Sequence, residues 1–488
     1  MDAKSLLTVH NVRHGFATNS SSTHSIVYMR GQKLRDVAAQ GGFGWGNFTL
    51  TDRADKRRYL AAQVYQSLCH TVGSDVALTV AEAWTGAALT PDKDMGIEEY
   101  VDHQSVISFP SNFEGKGICR EYVEDFARFL DRDDVAVLGG NDNSDGHPDL
   151  ERGDVESAGV RDGITDVYGA FVARKDPTGF WTLFNRSNGN KLRVSFGNGG
   201  FMEAPTKAAA PELVDVSITN WCNTGCDYCY RNSTTKGRHV DKNTLASLAY
   251  ALKELKVFEV ALGGGETTAH PDFVSILDGF RWAGVVPNFT TKDLSWLRDK
   301  DRAAQILERC GAFAYSAESA LAVEMFAEVW KAVGWKADGK CYPDVVKATI
   351  QHVVGTTDAE GFKALLLACN THKLPVTLLG YKTVGRGLMY QPTVFDWVGV
   401  VKELVKDKHL RIGIDTVLAD TGYQALKDAG VPEWCVTRHE GKFSAYIDAV
   451  EGKMGPSSFC KKGEYSKLAL TGGSTDIADN ITKAFQSY

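Results

Sequence analysis

The stretch VDVSITNWCNTGCDYCY, residues 214–230, decides how the larger part of this chain is organised. It opens with an apolar segment typical of a β-strand and runs into a loop that carries Cys222, Cys226 and Cys229. Three thiols within eight residues can converge on one metal centre, and Gly225 relieves crowding where the loop bends. The spacing predicts a four-iron cluster with one open iron, although a structural zinc site or incidental cysteines would use the same residues. Zinc needs a fourth ligand, and no nearby His or Cys stands at finger spacing.

Strands and helices alternate beyond this loop. Repeated βα units predict a parallel sheet with helices outside, and six or seven units suit an open, partial barrel over residues 211–420. Helices such as Lys242–Leu255 and Asp301–Cys310 lie between most of the strand candidates. These candidates are Val214–Ile218, Phe258–Leu262, Val285–Thr290, Ala312–Ser316, Thr349–Val354, Val376–Gly380 and Arg411–Val417.

The rest of the chain has a different character. We expect a polar N-terminal segment (1–30), a mixed α+β accessory domain (31–205), a linker (204–211) and a small C-terminal cap (431–488). Within the accessory domain, helical periodicity appears at 55–70 and 119–130, and a strand is expected at 135–138. The runs 179–184 and 191–196 flank Asn188-Gly189, which predicts a hairpin.

Composition limits the function classes. The net charge is −7 over 488 residues, which gives no broad basic face for non-specific binding to nucleic acid. The sequence contains no run of 18 or more apolar residues, so we expect no membrane span. The N-terminus lacks the apolar core of a secretion signal. We therefore expect a cytoplasmic protein, in which ten cysteines do not form a disulfide framework.

Several ordered motifs resemble those of the radical S-adenosylmethionine (radical SAM) superfamily. Cys-x3-Cys-x2-Cys after a first strand, with Tyr228 before the last cysteine, is similar to the family signature. Residues 258–273 (FEVALGGGETTAHPDF) resemble the second strand and its GGE motif. The polar ends 288–291 (NFTT) and 314–319 (AYSAES) resemble the third and fourth strands, and 378–387 (LLGYKTVGRG) resembles the sixth strand and its loop.

The resemblance implies an α/β fold with a partial (β/α)6-type barrel, and an enzyme that reductively cleaves SAM and abstracts hydrogen from a substrate. It implies a [4Fe–4S] cluster on Cys222, Cys226 and Cys229, and an electron donor such as flavodoxin or ferredoxin. Gly264 and Gly265 would let backbone approach the methionine part of SAM. The implied SAM contacts are Tyr228, Gly264, Gly265, Glu266, Thr290, Ser316, Glu318 and Arg386.

The substrate stays open at this point. The tail from Cys435 to Cys460 resembles a degenerate SPASM or twitch extension of peptide-modifying members, but two cysteines do not fill a four-ligand auxiliary site. A cluster-free hairpin that covers the barrel mouth is our expectation for it. A peptide or protein side chain is the preferred substrate. A nucleotide or RNA is the alternative, and a non-catalytic iron–sulfur sensor or scaffold is the rival from another class.

Weaker signals have plainer interpretations. Residues 141–147 (NDNSDGH) partly resemble a calcium loop, but Arg152 stands where a Glu ligand is needed, so we predict a turn. Residues 12–15 (VRHG) resemble a histidine phosphatase motif without its partner residues. On the barrel, an inward-pointing His352 would contact substrate or SAM, and Lys382 would anchor an anionic group.

Overall fold

A computed structural model shows how the chain folds. It describes residues 7–12, 22–29, 34–39, 42–43, 46–94, 96–101, 106–107, 109–113, 117–141, 155–157, 171–187, 189–196, 205–333, 347–404, 410–431 and 440–488. These residues form two compact units, Met1–Pro205 and Thr206–Tyr488. Within the described ranges, no helix combines the length and apolar composition that crossing a membrane requires.

The first unit contains two four-stranded antiparallel sheets, one in the order β1-β10-β9-β8 and one in the order β3-β6-β2-β7. A two-stranded ribbon, β4-β5, accompanies them. Its elements are β1 (Leu7–Val12), β2 (Ser22–Met29), β3 (Phe48–Leu50), α1 (Arg53–Val72), α2 (Ser74–Thr85), β4 (Pro91–Asp92), β5 (Gly96–Ile97), α3 (Arg120–Leu130), β6 (Val135–Asn141), β7 (Val155–Ser157), β8 (Phe171–Lys175), β9 (Phe180–Asn185) and β10 (Lys191–Phe196).

Local patterns in this unit predicted its elements well. The two periodic segments form α1 and α3, the strand at 135–138 is the start of β6, and β9 pairs with β10 as an antiparallel hairpin. Gly189 has φ +72° in the connecting turn, a conformation that glycine adopts without strain. Three sequence predictions fall on residues outside the described ranges. They are the turn residue Asn188, the calcium-like positions after Asn141 and the phosphatase-like residues 13–15.

The second unit is built on one ten-stranded sheet in the order β17-β16-β15-β14-β13-β12-β11-β18-β19-β20. Its strands are β11 (Leu213–Thr219), β12 (Glu259–Gly264), β13 (Val286–Thr291), β14 (Ala312–Ser316), β15 (Lys347–Val353), β16 (Val376–Leu379), β17 (Ile412–Ile414), β18 (Ser444–Asp448), β19 (Lys453–Gly455) and β20 (Ser466–Lys467). Its helices are α4 (Lys242–Glu254), α5 (Phe273–Trp282), α6 (Ser295–Arg298), α7 (Lys300–Leu307), α8 (Ala320–Lys331), α9 (Ala359–Thr371), α10 (Trp397–Leu404), α11 (Thr416–Thr421), α12 (Tyr423–Asp428) and α13 (Ser474–Gln486).

All pairs from β17 to β18 are parallel, which confirms the predicted α/β architecture of an open sheet with helical crossovers. Several helices begin at a residue whose side chain accepts a hydrogen bond from a first-turn amide: Asp241, Asp299, Ser319 and Asp358. Such caps turn the chain from strand or loop into helix. One strand is shorter than expected, because Asp415 caps α11 and ends β17 before Val417.

The two faces of the sheet differ in polarity. Alternate residues such as Val214, Val216 and Ile218 of β11 join the helices in a continuous hydrophobic core. The residues between them point to the opposite face, which we call the inner face. Its polar members include Asp215, Ser217, Asn288, Thr290, Ser316, Gln351, Tyr446 and Asp448.

The C-terminal segment is part of the main sheet. It contains a hairpin, as expected, formed by β18 and β19, but β18 also lies parallel to β11. Ala445 and Ile447 enter the same core as Val214, because alternate apolar positions of a strand reach one face. The segment is thus a continuation of the sheet, whereas we expected a separate cap over the mouth.

Ile447→Ala should destabilise the protein by about 2–5 kcal/mol, because the side chain is 0% exposed in the core of the sheet. Val394→Ala is the matched control, since that side chain is 94% exposed. Chemical denaturation measures both free energies of unfolding. Equal values for the two variants would show that β18 does not belong to the core.

Candidate functional site

The cysteine loop leaves β11 at the carboxyl edge of the parallel strands, where α/β folds place their chemistry. Cys222, Cys226 and Cys229 are free thiols and each is partly exposed. The Cys222 amide donates to the carbonyl of Thr234 at 3.0 Å, and the Cys229 amide to the carbonyl of Cys226 at 3.2 Å. Gly225 has φ +71° with open space around it, so it is needed for its left-handed backbone and not, as we expected, to relieve crowding.

Two backbone hydrogen bonds fasten the glycine motif after β12 to this loop. The Gly265 amide donates to the Thr219 carbonyl at 2.7 Å, and the Glu266 amide to the Trp221 carbonyl at 2.9 Å. A Cβ on Gly264 or Gly265 would collide with these same carbonyls, and Gly264 also has φ +118°. The close backbone approach that these glycines permit is therefore to the chain's own cysteine loop. Their predicted approach to SAM stays a prediction.

Hydrogen bonds to Glu266 connect the end of β12 to the end of β13. Its side chain is buried, and its carboxylate accepts hydrogen bonds from the Thr268 hydroxyl at 2.7 Å, the Thr291 hydroxyl at 2.7 Å and the Lys292 amide at 2.9 Å. The Thr268 amide donates to the same carboxylate at 3.2 Å. These bonds hold the ends of β12 and β13 in register at the site, so Glu266 has a positioning role here in addition to the predicted contact with SAM.

Lys292 is a site residue that the sequence analysis missed. Its ammonium lies 3.3 Å from the Cys226 sulfur and forms an ion pair with Glu318. The Tyr228 hydroxyl donates to the same Glu318 carboxylate at 2.6 Å. The network thus joins the cysteine loop to the ends of β13 and β14. A lysine directly after the polar end of a predicted strand was the available signal.

Burial and neighbouring groups act in opposite directions on the pKa values of this network. Burial raises the pKa of the Cys226 thiol, and the nearby Lys292 ammonium acts in the opposite direction. Burial alone would raise the pKa of Glu318, but hydrogen bonds from Lys292 and Tyr228 outweigh it and hold that pKa below its ordinary value. The Glu318 carboxylate is therefore ionised at neutral pH and holds Lys292 beside the cysteine loop.

The other predicted contacts lie on or beside the inner face. Thr290 donates to the Gln351 side chain at 3.3 Å, and Ser316 is the register partner of Gln351 on the neighbouring strand. These side chains form a polar patch where β13, β14 and β15 end. Their predicted contact with SAM stays a prediction.

Arg386 supports the cysteine loop. Its Nε donates to the Cys226 carbonyl at 2.9 Å and its guanidinium also donates to the Ser233 carbonyl at 3.0 Å. Its own amide donates to the Cys229 carbonyl at 3.0 Å. Gly385 has φ +60° and leaves no room for a Cβ against Tyr230 and Cys229. In this structure the guanidinium binds the loop backbone, and the predicted contact with SAM stays a prediction.

His352 does not point inward. It lies on the same face as Ile350, is buried, and its ring is 5.8 Å from that of Phe362 in α9. Its Nδ1 lies 2.9 Å from the Ala317 carbonyl, and burial lowers its pKa. The strand register decides this orientation, so His352 packs between sheet and helix and is not placed to touch a ligand on the inner face.

The donor set fits an iron–sulfur cluster. Across the described ranges, no three His, Cys, Asp or Glu side chains converge tightly enough to hold a single ion. A four-iron cluster takes each thiolate on a different iron, so its cysteines stand farther apart than the ligands of one ion. Three free thiols on one loop, with a lysine ammonium beside one of them, are suitable ligands for such an anionic group.

The other cysteines give no second ligand set among the residues that the structure describes. Cys310 and Cys369 are buried in the hydrophobic core, and burial raises the pKa of each thiol to about 12. Cys460 lies on the C-terminal segment and is partly exposed. Cys341 and Cys435 lie outside the described residues.

Arg386→Met should weaken iron retention on the order of ten- to a hundredfold, because two carbonyls of the cysteine loop lose their donor. Iron and sulfide retained under chelator competition measure this after anaerobic reconstitution. Arg238→Met is the control, because Arg238 is 72% exposed and pairs with Glu451 at the surface. The same loss in both variants would contradict a specific role for Arg386.

Comparison with known proteins agrees with this geometry. The family model "Radical SAM superfamily" matches residues 216–319, which include the cysteine loop and the glycine motif. A GTP 3′,8-cyclase of Haemophilus influenzae is 34% identical over 83 residues, which cover 15% of this chain and 25% of that protein. The chain thus spans about a quarter of the length of the curated relatives that it matches.

Two solved structures are partly similar to this chain. Streptococcus suis SuiB bound to precursor peptide SuiA matches with a TM-score of 0.47 and 13% identity, over 65% of this chain and 90% of that one. The enzyme anSMEcpe with bound AdoMet matches with a TM-score of 0.40 and 16% identity, over 55% and 80%.

The matched segment begins on β11 and ends just before α8, so it contains the three cysteines, the glycine motif, Lys292 and Glu318. Cofactors of this family are a [4Fe–4S] cluster and SAM. The ordered motifs and the family match together identify residues 216–319 of this chain as a radical SAM domain.

Proposed function

We propose that this chain is an enzyme that cleaves SAM reductively and abstracts hydrogen from a peptide or protein side chain. One observation carries the catalytic part of the proposal. The three cysteines, the glycine motif and the Lys292–Glu318–Tyr228 network meet at the carboxyl edge of one parallel sheet. A non-catalytic cluster protein would need the cysteines but not this surrounding arrangement.

Cys222, Cys226 and Cys229 would hold the cluster, and the glycine motif with the polar strand ends would receive SAM. When bound, the cluster and SAM supply reductive cleavage of the sulfonium carbon–sulfur bond and abstraction of hydrogen. The chain's own residues supply position and charge. Lys292 places a cation beside the Cys226 sulfur, and Glu318 holds both that cation and the Tyr228 hydroxyl in place.

Two features support a peptide or protein substrate. The Gly385-Arg386-Gly387 loop resembles that of peptide-modifying members and packs against the cysteine loop. The inner face also offers amide and hydroxyl groups, among them Asn288, Thr290 and Gln351, that can pair with backbone amides.

A nucleotide substrate is the second candidate. The observation that favours it is the 34% identity over 83 residues to GTP 3′,8-cyclase. That segment covers only 25% of the relative. Because the shared segment is short, it supports shared cofactor chemistry more than a shared substrate. Incubation with GTP and SAM tests this candidate through the loss of GTP.

Anaerobic reconstitution with iron and sulfide, reduction and addition of SAM should yield 5′-deoxyadenosine, measured by mass spectrometry. Cys226→Ala should yield none, because one iron of the cluster loses its thiolate ligand. Cys310→Ala is the control, since Cys310 is buried in the core and away from the cysteine loop. A cluster that assembles while SAM is neither bound nor cleaved would replace the enzyme with the redox-scaffold alternative.

Lys292→Met should move the midpoint potential of the reconstituted cluster to a more negative value. Loss of a cation 3.3 Å from the Cys226 sulfur makes the added electron less favourable. A potentiometric titration followed by electron paramagnetic resonance gives this value. Lys242→Met is the control, because that lysine is 53% exposed and pairs with Asp272 outside the site. An unchanged potential would mean that Lys292 does not act on the cluster.

A further inference from the structure

Asp215 places a carboxylate on the inner face, on the strand that leads into the cysteine loop. Its register partners are Ala261 on β12 and Tyr446 on β18. Among the described residues its side chain makes no hydrogen bond or ion pair, and its charged neighbours are Lys382 and Glu259. Partial burial raises its pKa to about 6. A charged side chain in the interior of a strand costs free energy when it has no partner, and a bound group of opposite charge would lower that cost.

More acids than bases surround Asp215 within the described part of the chain. Glu440 lies near enough to Asp215 that burial, together with this neighbouring carboxylate, raises the Glu440 pKa to about 7. Asp415 acts on Glu440 in the same direction. Lys382 is the cation that these acids share. The balance of this group is therefore negative at neutral pH.

The Lys382 ammonium has favourable contacts with groups other than Asp215. Its ammonium lies 4.7 Å from the ring centre of Tyr230 and 4.9 Å from that of Phe459, so two aromatic faces contact the cation. It makes no ion pair with a described carboxylate. The lysine weakens the negative potential of the acids and does not neutralise it.

Tyr446 gives independent evidence of a ligand. The residue is 3% exposed and lies beside Asp215 on the neighbouring strand, on the same face. Its hydroxyl has no hydrogen-bond partner among the described residues, and Ser217 lies near it. The Arg231 guanidinium lies 5.5 Å from the Tyr446 ring centre and is already paired with Asp448. A buried hydroxyl without a partner costs free energy unless a bound group supplies one.

We propose that the inner face around Asp215 and Tyr446 binds a positively charged group of the substrate, an ammonium or a guanidinium. This inference rests on the proposed function and names the chemical class of its substrate. An ammonium has donors for both the Asp215 carboxylate and the Tyr446 hydroxyl oxygen, and no acceptor that would compete for them. For a peptide substrate, the group is a lysine or arginine side chain.

The test uses the reconstituted protein with SAM at pH 8, where Asp215 is ionised. The probes are N-acetyl-L-lysine methylamide and its neutral counterpart, N-acetyl-L-norleucine methylamide, titrated by ligand-observed NMR. The lysine probe should bind and the norleucine probe should not. Asp215→Asn should weaken lysine-probe binding roughly tenfold or more, and Lys382→Met should strengthen it, because the two side chains carry opposite charges.

Asp301→Asn is the control for the same chemical change at an exposed position on α7. Asp215→Asn should not lower the melting temperature of the parent protein at pH 8, because burial disfavours the ionised carboxylate that the substitution removes. Equal binding of the two probes, no binding of the lysine probe, or unchanged binding by Asp215→Asn would each overturn the inference. Deoxyadenosine measured on the same samples separates the two proposals. If no deoxyadenosine forms, the proposed function is wrong. If it forms but binding of the probes does not depend on charge, only this inference is wrong.

Discussion

The site depends on one close backbone contact, in which the turn after β12 hydrogen-bonds to the loop after β11. The amides of Gly265 and Glu266 donate to the carbonyls of Thr219 and Trp221, and no side chain fits between the two segments. Glycine is required at 264 and 265 for this reason. The contact fixes the start of the cysteine loop against the sheet, so the positions of the thiols follow from the position of β12.

Around this contact, side chains from separate strands converge on the loop. Glu266 joins the ends of β12 and β13, and Lys292 and Glu318 extend the connection to Cys226 and to β14. Arg386, in the segment after β16, supports the same loop. The hydrogen bonds and the ion pair of such a network support one another, since each group is held in place by its partners.

The two faces of the sheet have different roles: one packs in the core and the other carries the polar groups of the candidate site. Apolar residues on one face pack against the helices, and the inner face keeps polar and charged groups. β18 extends both properties, because Ile447 enters the core while Tyr446 and Asp448 face inward. Asp448 forms a buried ion pair with Arg231, which directly follows the cysteine loop, at 2.8 Å. The C-terminal segment therefore contributes to the site as well as to the fold.

The sequence alone determined the cysteine spacing, the glycine motif and the seven parallel strands β11–β17 to within a few residues, because each is a local pattern. It also predicted Thr290, Ser316 and Glu318 as SAM contacts, and these residues lie at or just after strand ends. Only the tertiary structure decided that β18 joins β11, that His352 faces a helix and that Lys292 reaches Cys226. These features depend on pairing between residues far apart in the chain and on which face each strand presents. Local periodicity shows which residues of a strand share a face, but not which strand or helix that face meets.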